Sequence, residues 1–301
     1  MNSMNKRLLP IMLILIGAAC YGLLSPFVKL AYTDGWTNRE ISSSQMTMSA
    51  LLVWLLVLVT PSAWSNPFRG PWIRLLLNGL IGISLTTLFI NAALQEMDAS
   101  LSVVLLFQFT WITIVIDSIS KKKRPTRNQT LAVIVILLGT VFAVNVFEVD
   151  FSTLSLMGLV YGLASSLTYS LFLFGTGRIE TTMHPLMRSA VMLTGALPAV
   201  YVLFPPTHFL DQGMGGVLLW GLFLGFLGQV APTLCFNVGI PKVGSTLAAL
   251  LGSAELPVAT VGAFLIAGEN VSAVQWIGIL IIIFGIFLSE IKVKTRYNKV
   301  V

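Results

Sequence analysis

The chain alternates long apolar runs with short polar breaks, and that rhythm predicts helices rather than strands. Ten runs fall at about 8–31, 41–60, 73–94, 99–119, 128–147, 154–175, 184–204, 214–237, 243–267 and 272–290. Each is close to the roughly 18–25 residues an α-helix needs to cross a bilayer. The runs are continuously apolar, without the two-residue alternation of a membrane barrel, so an all-β architecture is excluded. Breaks such as "TDGWTNRE", "KKKRPTRNQ", "PPTHFLDQG" and "GEN" separate them, each rich in charge or turn formers. They leave no room for a separate soluble domain. The first run is too long for a signal-peptide core and has no convincing cleavage site, so it reads as the first span. The expected fold is all-α, a polytopic membrane protein with ten transmembrane helices.

Composition agrees. The 301 residues are 56% hydrophobic and 10% charged, against about 45–50% and about 25% in a soluble domain. Mean hydropathy is +0.88. Charge then sets an orientation. With a cytoplasmic N-terminus, sixteen of the eighteen Lys and Arg residues fall inside, and only Lys29 and Arg39 outside. Basic residues are the informative half of such a split. Both termini are therefore expected in the cytoplasm of a cell whose plasma membrane the chain spans. The net charge of +6 is accounted for by this asymmetry, and "KKKR" reads as an anchor beside anionic lipid rather than a nucleic-acid arm. Cys20 and Cys235 lie inside apolar runs, with no pattern for a disulfide framework or a zinc site. Neither a metal nor a cofactor is expected.

The chain also repeats itself. A shift of 146 residues without a gap pairs Gly79 with Gly225, Gly82 with Gly228, Asn91 with Asn237, Gln129 with Gln275, and Gly139 with Gly285. Nearer the start of each half, "YGLLS" at 21–25 matches "YGLAS" at 161–165, and the six-residue difference fits a longer loop around Pro205–Asp211. Two halves, 1–147 and 148–301, would each carry five spans. Five is odd, so the second half enters the membrane from the other side, giving two inverted five-helix repeats.

These residues resemble a family. The stretch 244–290, with Glu255 and Pro257 mid-span, "GE" at Gly268–Glu269, then Gln275, Gly278 and Gly285, is similar to the second EamA-type repeat of the drug/metabolite transporter superfamily. The first half resembles it less, with "QFTW" (108–111) in place of "AELP" and "SKKKRPTRNQ" in place of the "GE" turn. The resemblance implies a ten-helix carrier that moves small metabolites, often outward.

Chemistry concentrates on "GSAELP", residues 252–257. Twenty-six residues separate Lys242 from Glu269, and Glu255 is the only charged one. A carboxylate at that depth costs several kcal/mol unless compensated. Pro257 cannot donate the hydrogen bond that would satisfy the carbonyl of Ser253, so a kink or opened turn is expected there. A kinked mid-membrane helix suits a cavity wall, where Glu255 would meet water, solute or an exchangeable proton. The alternative is a protonated Glu255 bridging two helices. Further polar side chains lie at similar depth: Tyr21, Ser25, Gln45, Gln108, Trp111, Tyr161, Ser165 and Tyr169, with Gln229 and Thr233 on the eighth run. Tyr21 and Ser25 share a helical face, as do Tyr161, Ser165 and Tyr169, and as do Gln108 and Trp111. Singly, each can bond a neighbouring helix. Together with Glu255 they suit a site for a small amphipathic solute, with Pro26 and Pro257 as hinges.

The leading reading is a secondary transporter of small organic metabolites such as amino acids, working by alternating access, with proton coupling through Glu255 as its sharper version. An uncoupled facilitator is the simpler version. No nucleotide-binding motif supplies ATP chemistry. An integral membrane enzyme would need clustered His, Asp or Ser, and His184 and His208 are isolated loop residues. A receptor would have no use for the repeats. The expected partners are a small-molecule solute and membrane lipid, without nucleic acid, and no oligomeric state is assigned.

Overall fold

The structure, a computed structural model, describes residues 3–97, 99–148, 155–206 and 215–290. Asp98, Asp150, His208, Asp211 and the basic residues Lys292, Lys294, Arg296 and Lys299 lie outside the described residues. So do the side chains of Lys6 and Arg7. Every regular element described is helical. They are α1 (Ser3–Thr33), α2 (Asn38–Leu58), α3 (Trp72–Gly79), α4 (Thr86–Glu96), α5 (Ala99–Leu106), α6 (Phe109–Lys121) and α7 (Arg127–Ala143). Then follow α8 (Leu156–Arg178), α9 (Pro185–Leu203), α10 (Gly215–Gly225), α11 (Ala231–Val243), α12 (Ser245–Gly252), α13 (Glu255–Ile266) and α14 (Ala273–Glu290).

Eight stretches among the described residues are long and apolar enough to cross a membrane. They are Leu8–Thr33, Asn38–Leu58, Trp72–Glu96, Leu101–Lys121, Leu156–Arg178, Pro185–Leu203, Gly215–Val243 and Ser245–Ile266. The chain is an all-α polytopic membrane protein. The fifth and tenth expected spans form shorter apolar helices, Arg127–Ala143 and Ala273–Ser289. Seventeen residues rise about 25 Å, somewhat less than a hydrocarbon core of about 30 Å.

Several spans are not uniform helices, and their irregularities fall in matching places. A wider π turn runs from Leu80 to Leu85 between α3 and α4, and another from Phe226 to Val230 between α10 and α11. Their starts lie 146 residues apart. Helix is interrupted at Phe107–Gln108 and again at Ser253–Ala254, at the same spacing. Left-handed backbone closes α6 at Lys122 (φ 52°) and follows α13 at Gly268 (φ 66°). Lys122 bears the Cβ strain of that conformation, whereas Gly268 does not.

The matched polar residues now have physical causes. Gln129 completes a capping box with Thr126 at the start of α7. Gln275 does the same for α14, accepting from the Ser272 N–H at 2.9 Å while the Gln275 N–H donates to Ser272 Oγ at 3.3 Å. Each box satisfies two otherwise free donors. Gly139 and Gly285 let α7 and α14 close on each other: a side chain at Gly139 would meet Ile282, and one at Gly285 would meet Ile136. Small residues are what allow such approach in lipid, where apolar contact alone gives no preference for a neighbouring helix.

Side-chain bonds tie the helix ends together at two faces. At one, which we term the basic face, Lys121 and Arg178 meet Asp117. At the other, Lys29 pairs with Glu269, Trp220 donates to Asp34, and Ser155 donates to Glu96.

Candidate functional site

A cavity of about 490 Å³ opens between α1, α2, the α3–α4 span, α8, α9 and the Glu255 turn. That volume is in the range of small-molecule sites. Its deep end is formed by Tyr21, Tyr169, Gln229 and Glu255, and its walls continue past Asn91 to Lys29, Tyr32, Ser42 and Phe204. Those last four lie near helix ends away from the basic face, so the cavity reaches only the opposite one. Lys29 at the mouth and Glu255 at the floor are the charged residues among its lining.

Glu255 is positioned by the break in its span. Ser253 N–H donates to the Leu250 carbonyl at 3.3 Å and Ala254 N–H to the Leu251 carbonyl at 3.1 Å. These are tight i→i−3 turns. The Ser253 carbonyl, which a residue other than proline at 257 would satisfy, accepts instead from Leu256 N–H at 3.3 Å. Glu255 thereby becomes the first residue of α13, where the positive end of the helix dipole offsets part of the cost of a buried carboxylate. Its carboxyl makes no hydrogen bond or ion pair among the described residues. The interhelical bridge weighed from sequence finds no partner there. Gly22 seats the turn, because a side chain on it would run into the Glu255 carbonyl.

The remaining candidates divide. Tyr21, Ser25, Gln45 and Tyr169 line the cavity, and Gln45 Nε2 donates to the Leu224 carbonyl at 3.3 Å. Gln108, Trp111, Tyr161 and Ser165 do not line it. Trp111 Nε1 donates to Gln108 Oε1 at 2.8 Å, and Gln108 Nε2 donates to the Val104 carbonyl at 2.9 Å, so this pair satisfies itself on an exposed face. Tyr161 stacks on Phe89 at 6.4 Å. Ser165 is buried and donates to the Gly162 carbonyl at 2.7 Å. The Tyr161–Ser165–Tyr169 face thus splits lengthwise, and only its Tyr169 end meets the cavity. Of the two hinge prolines, Pro257 sits at a break, whereas α1 runs through Pro26 without interruption.

Thr86, Thr87 and Asn91 line the cavity without having been singled out for it. Asn91 lies near the end of its span in the sequence, yet the cavity walls extend far enough along α4 to include it. Lys29, at the outer end of the first span, pairs with Glu269.

Below the floor the path is filled by aromatic rings. Phe109, Phe172 and Phe236 are fully buried or nearly so. Tyr169 packs edge-on to Phe109 at 4.7 Å and stacks on Phe172 at 6.0 Å, while Phe236 lies 6.2 Å from Phe172 and 5.8 Å from Tyr21. Nearer the basic face, the Asp117 side chain is 5% exposed. Its Oδ2 accepts from Lys121 Nζ at 2.6 Å and Thr246 Oγ1 at 2.8 Å, with Arg178 Nη2 3.7 Å from Oδ1. Sequence spacing marks the Lys121 pairing. Thr246 and Arg178 come from distant helices and leave no local signal.

A helical membrane bundle with a one-sided, solute-sized cavity and a closed opposite end has the form of a membrane carrier. The EamA-like transporter family model matches the chain twice, over residues 8–145 and 156–291. The chain belongs to that family, and transport of small molecules across a membrane is its general function. It is 23% identical over 274 residues to the "Uncharacterized transporter YcbK" of Bacillus subtilis (strain 168), covering 88% of this chain and 87% of that protein. It is 21% identical over 308 residues to the "Uncharacterized inner membrane transporter YicL" of Salmonella typhimurium (strain LT2), covering 98% and 99%. A solved crystal structure shares the fold with a TM-score of 0.71 at 16% identity, over 96% of this chain and 98% of that one. Among the described residues no group of three or more His, Cys, Asp and Glu side chains could hold a metal ion.

Proposed function

We propose that this protein is a secondary exporter of small organic metabolites, of the size and amphipathic character of an amino acid, driven by proton exchange at Glu255. The observation that carries the reading is an unpaired carboxyl on the floor of a cavity that reaches one face only. Solute and proton would meet there, among Tyr21, Ser25, Gln45 and Tyr169, before the bundle re-opens toward the other face. Two inverted halves, 1–147 and 148–301, each of five spans, supply the two states, since symmetry makes each half's arrangement available to the other. The double match to the family and the recurring breaks at a spacing of 146 residues support this division. Gln108, Trp111, Tyr161 and Ser165 would then contact solute only in a rearranged state, with Pro257, and Pro26 less directly, flexing between states.

The cell membrane is the proposed location, with both termini cytoplasmic, on the basic-residue asymmetry and the inner-membrane wording of the Salmonella relative's name. Single cysteines test the orientation. Thr37→Cys should react with an impermeant thiol reagent applied outside intact cells and Lys122→Cys should not. The reverse pattern overturns the orientation.

Transport itself is tested by release of labelled amino acids from loaded proteoliposomes. Efflux that accelerates with an imposed proton gradient supports the exporter. Efflux indifferent to that gradient favours the facilitator, for which Glu255 is only a polar contact.

A further inference from the structure

We propose that Arg188, reached along one face of α11, is a binding station for a carboxylate group of the transported solute on the basic-face side of the aromatic plug. The proposal rests on the transporter reading and adds a second site and a chemical class to it.

Arg188 lies on α9 and is 6% exposed. A guanidinium cannot shed its charge, and this one forms no ion pair among the described residues. Its two hydrogen bonds go to backbone carbonyls, Nη1 to Asn237 and Nη2 to Thr176, each at 3.3 Å. Both acceptors are intelligible. Asn237 stands four residues before Pro241, which has no N–H to offer it. Thr176 is in the last turn of α8, where carbonyls lack intrahelical donors. Arg188 thus clamps two helix ends, but neutral carbonyls supply no full counter-charge, and a buried cation strongly favours one. Its Nε has no partner at all.

A second observation leads to the same place. Gln229 Oε1 and Asn237 Oδ1 are buried atoms without hydrogen-bond partners, and midway between them stands Thr233, whose hydroxyl faces Tyr21 of the cavity floor. The three sit four residues apart on one helical face, a line of about 12 Å. It begins at the cavity floor, where Gln229 is a lining residue, and ends at Asn237, whose carbonyl Arg188 holds. Asn237 Nδ2 joins α11 to α9 through Ser189 Oγ at 2.8 Å, but its Oδ1 and the Oε1 of Gln229 are left open, and an unpartnered buried polar atom costs about 1–3 kcal/mol. Gln229 Oε1, Asn237 Oδ1 and Arg188 Nε are three such atoms among the described residues. All three lie along one helical face or at its end, which scattered packing defects would not produce.

The occupant follows from the chemistry. The free Nε and a terminal N–H of a guanidinium form the parallel pair of donors that a carboxylate accepts in bidentate fashion. When Phe172 and Phe236 part, an acid would find polar groups from the cavity to Arg188, and its charge would complete the one left unpaired there.

Purified protein in detergent provides the test, through unfolding temperature with benzoate against benzamide and hexanoate against hexanamide at matched ionic strength. Ligands of the folded state raise it by mass action. The acids should raise it by several degrees more than the amides in wild type. Arg188→Lys should keep part of that preference and Arg188→Gln should lose it. Equal response to acid and amide in wild type overturns the station, as does an undiminished preference in Arg188→Gln. If Arg188→Gln does not fold, the wild-type and Arg188→Lys comparisons decide. Efflux without acid preference sinks this inference and leaves the exporter standing. Acid preference without efflux does the opposite.

Discussion

Glu255→Gln is expected to fold and insert like the wild-type chain while losing the pH-dependent part of its transport. The substitution keeps the shape and hydrogen-bonding capacity of the side chain and removes only its ability to ionise. Because the carboxyl has no partner among the described residues, no bond is broken. The stability change should stay below about 1 kcal/mol, the net worth of an ordinary hydrogen bond. Efflux from loaded proteoliposomes should then proceed at a rate independent of an imposed proton gradient. Glu255→Leu sharpens the comparison. If Glu255 bridged two helices, the leucine variant would lose stability; with no bridge, it should unfold at or above the wild-type temperature. A Gln variant with wild-type response to the gradient would leave Glu255 without a coupling role, and a destabilised Leu variant would restore the bridging alternative.

Much of this site was legible in the sequence, for a physical reason. A single charge in a long apolar run needs compensation, and a proline two residues later removes a donor at a predictable carbonyl. Both effects are local, so "GSAELP" announces its own broken helix. The first half shows the limit of that logic. Its span breaks at Phe107–Gln108 with no proline, where Trp111 stands at the position matching Pro257. The support is tertiary: Ser170 Oγ donates to the Phe109 carbonyl at 3.2 Å, and Phe107 and Phe109 pack 5.5 Å apart. Helical periodicity placed Tyr21 with Ser25 and Tyr161 with Tyr169 on common faces, but a face does not reveal how much of its length meets a cavity. Tyr161 and Ser165 fell on the part that packs against other helices.

The repeat was equally legible as a pattern and less so as a cause. Gln129 and Gln275 match because both close capping boxes. Asn91 and Asn237 match without doing the same work. Asn91 lines the cavity, while Asn237 is buried and donates to Ser189 Oγ at 2.8 Å. The residue matching Glu255 is Phe109, part of the plug. One half therefore places a carboxyl, and the other a ring, at the start of the helix after its break. Shared backbone irregularity with divergent side chains is what a carrier needs if two similar halves perform different steps.

That asymmetry sets the second large effect. Gly22→Val is expected to destabilise the protein more than Gly162→Val, although the two glycines match in the repeat. A side chain at Gly22 meets backbone: it would strike the Glu255 carbonyl and come within 2.9 Å of the Ala259 nitrogen. Backbone inside a packed helix pair cannot move aside, so α1 and α13 must separate. Overpacking of this kind costs about 1–3 kcal/mol and more where nothing yields, well above the few tenths regained from valine's better helix propensity. At Gly162 the obstacle is the Leu105 side chain, its Cδ1 2.5 Å and its Cβ 2.8 Å away. A change of rotamer clears the Cδ1 but not the Cβ, which yields only if α5 shifts slightly, so the cost should fall inside the same range and below that at Gly22. Unfolding temperatures in detergent decide the order. Gly22→Ala should already impair efflux while the protein remains folded, because moving α13 moves the Glu255 turn and the cavity floor with it. Equal destabilisation by the two valines, or normal efflux in Gly22→Ala, would show that the seat beneath Glu255 is less rigid than the contact of these two helices implies.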